Sequence, residues 1–367
     1  MSLRLDEYRD FLAGGPQTRS FAALDPSSFA AVLAGKSGGN PSLEDQVAFH
    51  KAFPSDSVVA IPYDAGEVVP ELEWSRRKLC EDAEGLVMWE ETLQTDSGLK
   101  RRVVADKFGT IPWIVEPAVR RAEDFELIDF TADRIRENAS SIAQSIASHP
   151  AELANGGMLP ASVIYTAFEV FYLIDYPDMP LFYADWPERY LASIAKVHES
   201  NLALMEAMVA IGVESFNTGS AGLELLSPRI FHEAIVPFQR EFNDAVRKRG
   251  RFTNYHICGH SKKLIEMKII DALKPTVFET CSGPPCGNND DLGTAVRGVS
   301  EEIITKGNLN LELMMEGTPE QIRAGVLAIA EATRGRRHII GQADATILTG
   351  TPHENIKAYI DAVASLS

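Results

Sequence analysis

The chain has 367 residues, 45% hydrophobic and 24% charged, a balance that excludes a disordered or fibrous polypeptide and fits one large α/β domain. Its 52 acidic residues outnumber 35 basic ones for a net charge of −17, which sets the chain against nucleic-acid phosphates and anionic membrane surfaces. No apolar run approaches the roughly 20 residues that span a bilayer, and residues 1–16 mix Arg, Asp and Glu with apolar residues, unlike a secretory leader. A cytoplasmic protein without nucleic-acid or membrane partners is expected.

In chain order, the first fifty residues read as helical and loop-rich. Amphipathic spacing over 5–12 and 27–33 is interrupted by Gly-Gly pairs at 14–15 and 38–39. Residues 1–55 are therefore expected to form a helical extension, and 56–367 the main domain. An apolar run over 58–62 predicts a first strand. Segments 86–93 and 100–104 flank Asp96-Ser97-Gly98 and predict a hairpin, an insertion near 86–105 lying over one end of the domain. From about residue 130 helices and strands alternate. The strands fall at 159–166, 213–217, 252–257, 276–281, 303–309 and 338–341. The helices fall at 133–148, 188–211, 228–249 (kinked at Pro237), 292–299, 318–333 (behind a Thr318/Gln321 capping box) and 351–364. Such alternation implies parallel strands joined by right-handed crossovers. With one early strand unassigned the count is close to eight, and no Gly-rich dinucleotide fingerprint follows any strand. The expected fold is an α/β (β/α)₈ TIM barrel with an N-terminal helical extension and an inserted β-hairpin.

Three of the four cysteines, Cys258, Cys281 and Cys286, fall within 29 residues, and Cys80 stands alone. In a reducing compartment such clustering reads as metal ligands or catalytic thiols. Asn254, His256 and Cys258 alternate along a strand end and so share one face, while Tyr255 points outward. Glu279 and Cys281 stand two apart in the same way on the next strand. Chemistry in a barrel sits where strands end. One imidazole, two thiolates and one carboxylate meeting there suit tetrahedral zinc, with His256, Cys258, Cys281 and Glu279 as ligands. Cys286 is an alternative donor from the following loop, so the third protein ligand stays open. Gln342 and Asp344, just after the last strand, are expected at the mouth as substrate contacts.

The C-terminal two thirds resembles the uroporphyrinogen decarboxylase superfamily, and within it the zinc-dependent corrinoid methyltransferases of the methylcobamide:coenzyme M type. The stretches that carry the resemblance are Gly212-Val-Glu-Ser-Phe-Asn217, Leu226-Ser-Pro-Arg-Ile-Phe231, His256-Ile-Cys-Gly259, Gly307-Asn-Leu309, Glu316-Gly-Thr-Pro-Glu320 and Thr351-Pro-His-Glu-Asn355. The resemblance implies zinc on His256 and Cys258 with Glu279 beside it, Asn217 and Glu279 as catalytic candidates and Ser220 as a substrate contact. It departs at the last strand, where the chain reads Ile340-Gly-Gln342 and the family carries Gly-Cys; either Cys281 replaces that thiolate from a neighbouring strand, or Glu279 serves as a firm ligand, or the site is weaker or repurposed. The implied activity is methyl transfer between a corrinoid (cobalamin) and a small thiol or other methyl carrier. No Asp-x-His-x-x-Gly corrinoid motif occurs here, so the corrinoid is expected on a separate partner protein; a homodimer is left open. The alternative is a metal-free decarboxylase or lyase acting on a small acid, but Arg4, Arg9 and Arg19 are scattered and form no Arg-Gln-Ala-Gly-Arg signature.

Overall fold

The computed structural model describes residues 2–36, 41–56, 58–107, 112–344 and 346–366. These hold twelve strands: β1 (Phe21–Ala23), β2 (Val58–Ala60), β3 (Ser75–Glu81), β4 (Leu86–Thr95), β5 (Gly98–Lys107), β6 (Trp113–Glu116), β7 (Leu159–Val163), β8 (Ser215–Ala221), β9 (Phe252–Cys258), β10 (Val277–Glu279), β11 (Ile304–Leu309) and β12 (His338–Gln342). Eight of them form a parallel sheet in the order β1-β12-β11-β10-β9-β8-β7-β2, wrapped into a (β/α)₈ barrel. Helices cover its outside, among them Phe125–Ser145, Pro187–Ala210 and Pro319–Ala332. The last opens with the expected capping box, Thr318 and Gln321 exchanging side-chain-to-backbone bonds.

The N-terminal segment is not an extension outside the barrel. β1 pairs with β12, Phe21 opposite Ile339, and so is a barrel strand. Helix Ser2–Leu12 packs Leu5, Tyr8, Phe11 and Leu12 against Phe21, Leu159, Phe252, Val277, Ile304 and Ile339, sealing the end of the barrel where the strands begin. The seam between β1 and β2 is fastened by Asp56. Its backbone N–H donates to Ala22 O (2.6 Å) and its carboxylate accepts from Ala22 N–H (2.8 Å). That carboxylate is buried and also receives Arg19 (2.5 Å) and Arg4 (3.0 Å), while Arg9 is bound to Glu214 just ahead of β8 (2.5 Å).

Two further differences have local causes. The helix expected over 228–249 begins as Pro228–Ile230, widens into a π-turn at Phe231–Ile235 and resumes as Val236–Lys248. Pro237 has no N–H for the carbonyl four residues back, and the wider turn absorbs the mismatch. The expected hairpin is β4 and β5, closed at Thr95–Gly98, but β3 and β6 extend it to a four-stranded antiparallel sheet. Ion pairs tie neighbouring strands across that sheet: Glu91 accepts from Arg76 (2.7 Å) and Arg102 (2.6 Å).

Candidate active site at the barrel mouth

Three adjacent barrel strands change from apolar to polar along their inner faces as they near their C-terminal ends. β9 reads Phe252, Asn254, His256 on its inner face, β10 reads Val277, Glu279, and β11 reads Ile304, Lys306, Asn308. The lower members pack on the N-terminal helix. Above that apolar floor lies a small cavity of about 40 Å³, lined by Asp25, Asn217, Asn254, Glu279 and Lys306 among others. Inner residues such as Asn217, Asn254, His256 and Lys306 keep partial access to solvent, whereas their outward neighbours Phe216, Tyr255 and Thr305 are buried under the helices.

The register aligns three side chains on successive strands. Glu279 stands opposite His256 on one side and Lys306 on the other. His256 Nδ1 lies 3.2 Å from Glu279 Oε1, and Lys306 Nζ lies 2.5 Å from Glu279 Oε2. Burial pushes the Glu279 pKa up, but Lys306 and then His256 outweigh it and hold the carboxylate ionised, well below the usual carboxylate range. Two glycines make the array fit. A Cβ on Gly219 would meet His256 O at 2.8 Å, and one on Gly341 would meet Cγ and Cε of Lys306 at 3.3 Å.

Asp25, two residues beyond β1, belongs to the same layer. It is open to the lumen yet surrounded by protein, and that desolvation raises its pKa to about 6 against the pull of Lys306. Its N–H donates to Gln342 Oε1 (3.3 Å), which brings Gln342 to the mouth as a tie between the first and last strands. Asp344 is half-buried in the loop beyond β12.

Glu169 sits in the short 3-10 turn Ala167–Tyr172 that follows β7 and is 2% exposed. Burial raises its pKa to about 7, opposed by hydrogen bonds from Tyr176 and Tyr172 and by the field of His256. Val170, Phe171 and Tyr172 beside it all have positive φ (41°, 58° and 53°), a strained run for non-glycine residues that surrounding packing must enforce.

The expected constellation is therefore assembled only in part. His256 and Glu279 meet as their parity predicts. β9 carries the backbone of Cys258 at its last position, opposite Ala221, but the Cys258 side chain lies outside the described residues. Cys281 does not join them. β10 ends at Glu279, and Cys281 turns with φ +53°, placing its thiol in the apolar cluster with Tyr255, Ile257 and Leu264. Burial there pushes that thiol up to about 12. Among the described residues, no three His, Cys, Asp or Glu side chains are grouped to hold a metal ion. Ser220 is also directed away. β8 runs on to Ala221, so alternation from inward Asn217 turns Ser220 outward, where its hydroxyl lies 2.8 Å from the Tyr255 hydroxyl. Asn217 faces the lumen as expected.

Lys306, Asp25 and Glu169 were not anticipated. For Lys306 a signal exists: it is the one charged residue in the strand Ile-Thr-Lys-Gly-Asn-Leu, at the parity of Ile304.

A barrel with its polar array at the strand C-terminal ends has the architecture of a TIM-barrel enzyme site. The uroporphyrinogen decarboxylase (URO-D) family model matches residues 98–366, and the chain belongs to that family. It is 29% identical over 143 residues to a uroporphyrinogen decarboxylase of Synechococcus sp. (strain CC9605), covering 38% of each chain. It is 25% identical over 164 residues to the methylcobamide:CoM methyltransferase MtbA of Methanosarcina mazei, covering 44% of each. The matched region thus spans about two fifths of these relatives' length. A solved structure, a methyltransferase from Methanosarcina mazei, superposes with a TM-score of 0.67 at 14% identity over 99% of this chain and 98% of its own, a likeness of fold. No described helix is long and apolar enough to cross a membrane.

Proposed function

We propose that this chain is a zinc-dependent methyltransferase that moves a methyl group between a corrinoid on a separate protein and a small thiol or other methyl carrier. The observation that carries the reading is the His256–Glu279 pair at the barrel mouth, His256 lying on the strand whose last residue is Cys258. The donor types fit in part. An imidazole and an ionised carboxylate stand together, and the sequence sets Cys258 two residues beyond His256. Cys281, apolar in its surroundings and held protonated, does not fit, so the set reduces to His256, Cys258 and Glu279. Zinc bound there would lower the pKa of a substrate thiol and hold it as a thiolate at neutral pH.

The chain's own residues supply the rest. Glu279 fixes the ring of His256 through Nδ1, and Lys306 balances the carboxylate charge. The amides of Asn217 and Asn254 present polar groups to the lumen, and the apolar floor shuts water out from below. A thiol bound above them would release its proton to solvent and, as thiolate, would accept the methyl group as a cation equivalent, leaving the methyl–carrier bonding pair with the corrinoid that supplied it.

The alternative, a metal-free decarboxylase or lyase for a small acid, draws support from one observation: Glu279 is already paired with the Lys306 ammonium. Against it, Arg4, Arg9 and Arg19 are all committed to Asp56 and Glu214 at the opposite end. Elemental analysis of protein purified without chelator separates the two. About one zinc per chain is expected, with His256→Ala and Cys258→Ala losing it and Cys281→Ala keeping it. Demethylation of free methylcobalamin by added thiol should follow the same order. Metal-free wild-type protein that also leaves methylcobalamin intact would contradict the reading.

A further inference from the structure

Lys306 is an unexpected neighbour for a carboxylate that is to bind a dication. Its ammonium contacts Glu279 Oε2 at 2.5 Å, and both side chains are largely buried, 14% and 10% exposed. The arrangement is built rather than incidental. Strand register sets Lys306 directly opposite Glu279, and the missing side chain at Gly341 leaves the space that the Lys306 methylenes cross. A cation on Glu279 has to compete with that ammonium. The same cavity offers the ammonium somewhere else to go: Asn217 Oδ1 and Asn254 Oδ1 are buried without a hydrogen-bond partner among the described residues, and Asp25 lines the cavity beside them. Buried acceptors without donors are costly, and a cavity of about 40 Å³ has room for a water-sized group.

We propose that Lys306 is a tethered counter-ion for Glu279 that a divalent metal displaces into the lumen cavity, toward Asn217, Asn254 and Asp25. This rests on the zinc reading above. Lys306 is then a positioning residue that weakens metal binding and keeps the buried carboxylate charge-balanced while the metal is away. Opposite charges in a desolvated site attract strongly, so the ammonium raises the free-energy threshold for metal entry. The single uncharged oxygen at either asparagine compensates it only in part.

The test is zinc affinity of the full-length, chelator-stripped protein, read by competition with a chromophoric zinc chelator. Lys306→Met should bind zinc at least tenfold more tightly than wild type. Lys306→Arg, which keeps the charge on Glu279, should stay within about threefold of wild type by the same electrostatic argument. In Lys306→Met/Glu279→Gln the tightening should vanish. An affinity in Lys306→Met equal to or weaker than wild type overturns the proposal, as does equal tightening in the Met and Arg variants. His256→Ala decides the underlying reading separately. If it binds zinc as well as wild type, the site is elsewhere. If it loses zinc while Lys306→Met is unchanged, the site stands and the counter-ion role falls. Absence of zinc binding in both wild type and Lys306→Met overturns both.

Discussion

At the residue scale the site combines groups whose protonation is set by burial and by neighbours. Glu169 carries this furthest. Burial lifts its pKa from 4.5 to about 7, so between those values the folded chain keeps a proton that the unfolded chain has lost. Stability contributed by that proton is present below about pH 4.5 and fades as pH rises through 7. Glu169→Gln mimics the protonated acid at every pH. Its urea midpoint relative to wild type should therefore be higher at pH 8 than at pH 5, by the equivalent of about 2–3 kcal/mol. The same offset at both pH values would contradict the assignment. Cys281→Ala, removing one sulfur from an apolar cluster, should cost about 1–2 kcal/mol in denaturant unfolding and leave zinc content unchanged. His256→Ala should do the reverse, losing the metal while leaving the stability of the metal-free protein little changed.

What could be read at this scale depended on strand parity. His256 and Glu279 were legible because both lie inside strands where alternation holds. Cys281 was misplaced because alternation stops at Glu279, where β10 ends, and the sequence does not signal the turn that follows. Ser220 was misplaced for the opposite reason: β8 continues four residues beyond Asn217, through a glycine-containing stretch of weak strand character. Lys306 carries no metal-ligand signature, because a protonated ammonium does not coordinate a metal ion. Asp25 was hidden by an error one level up, since it follows a strand that was not recognised.

That error belongs to the scale of elements. β1 is Phe-Ala-Ala, three residues with no alternation to detect, and only pairing with β12 makes it a strand. β3 (Ser-Arg-Arg-Lys-Leu-Cys-Glu) is exposed throughout and lacks an apolar face, so the four-stranded sheet appeared in the sequence only as its central hairpin. The strands and long helices of the C-terminal half, by contrast, carry clear periodicity and lie within a few residues of their expected bounds, whereas the helix expected over 133–148 begins eight residues earlier, at Phe125. The seam and the floor are where element packing can be tested. Asp56→Ala removes a buried carboxylate that satisfies Ala22 N–H, Arg4 and Arg19 together. Breaking such a pair costs about 3–5 kcal/mol, and unfolding in urea should show a loss in that range. A loss below about 1 kcal/mol, the size of an exposed pair, would mean that β1 and β2 are held by other contacts.

For the whole molecule, one barrel serves two tasks at its two ends. The N-terminal helix and the apolar inner residues close one end, and polar residues of the same strands open the other to ligands. Metal binding at the proposed site would be coupled to folding of the barrel, because His256 and Glu279 come together only when β9 and β10 pair. Zinc at about a thousandfold excess over its dissociation constant should add on the order of 4 kcal/mol. Wild-type protein should thus melt several degrees higher with zinc than with a chelator, and His256→Ala should show no such difference.

The most direct test of the account is X-ray absorption at the zinc edge on the purified full-length protein. One sulfur in the first coordination sphere, with nitrogen and oxygen completing it, is the predicted result, since Cys258 is the thiol of the His-x-Cys motif and Cys281 is placed in the core. Two sulfurs would bring Cys281 or Cys286 back to the metal and contradict the arrangement described. A spectrum without sulfur would remove Cys258 and, with it, the proposed zinc chemistry.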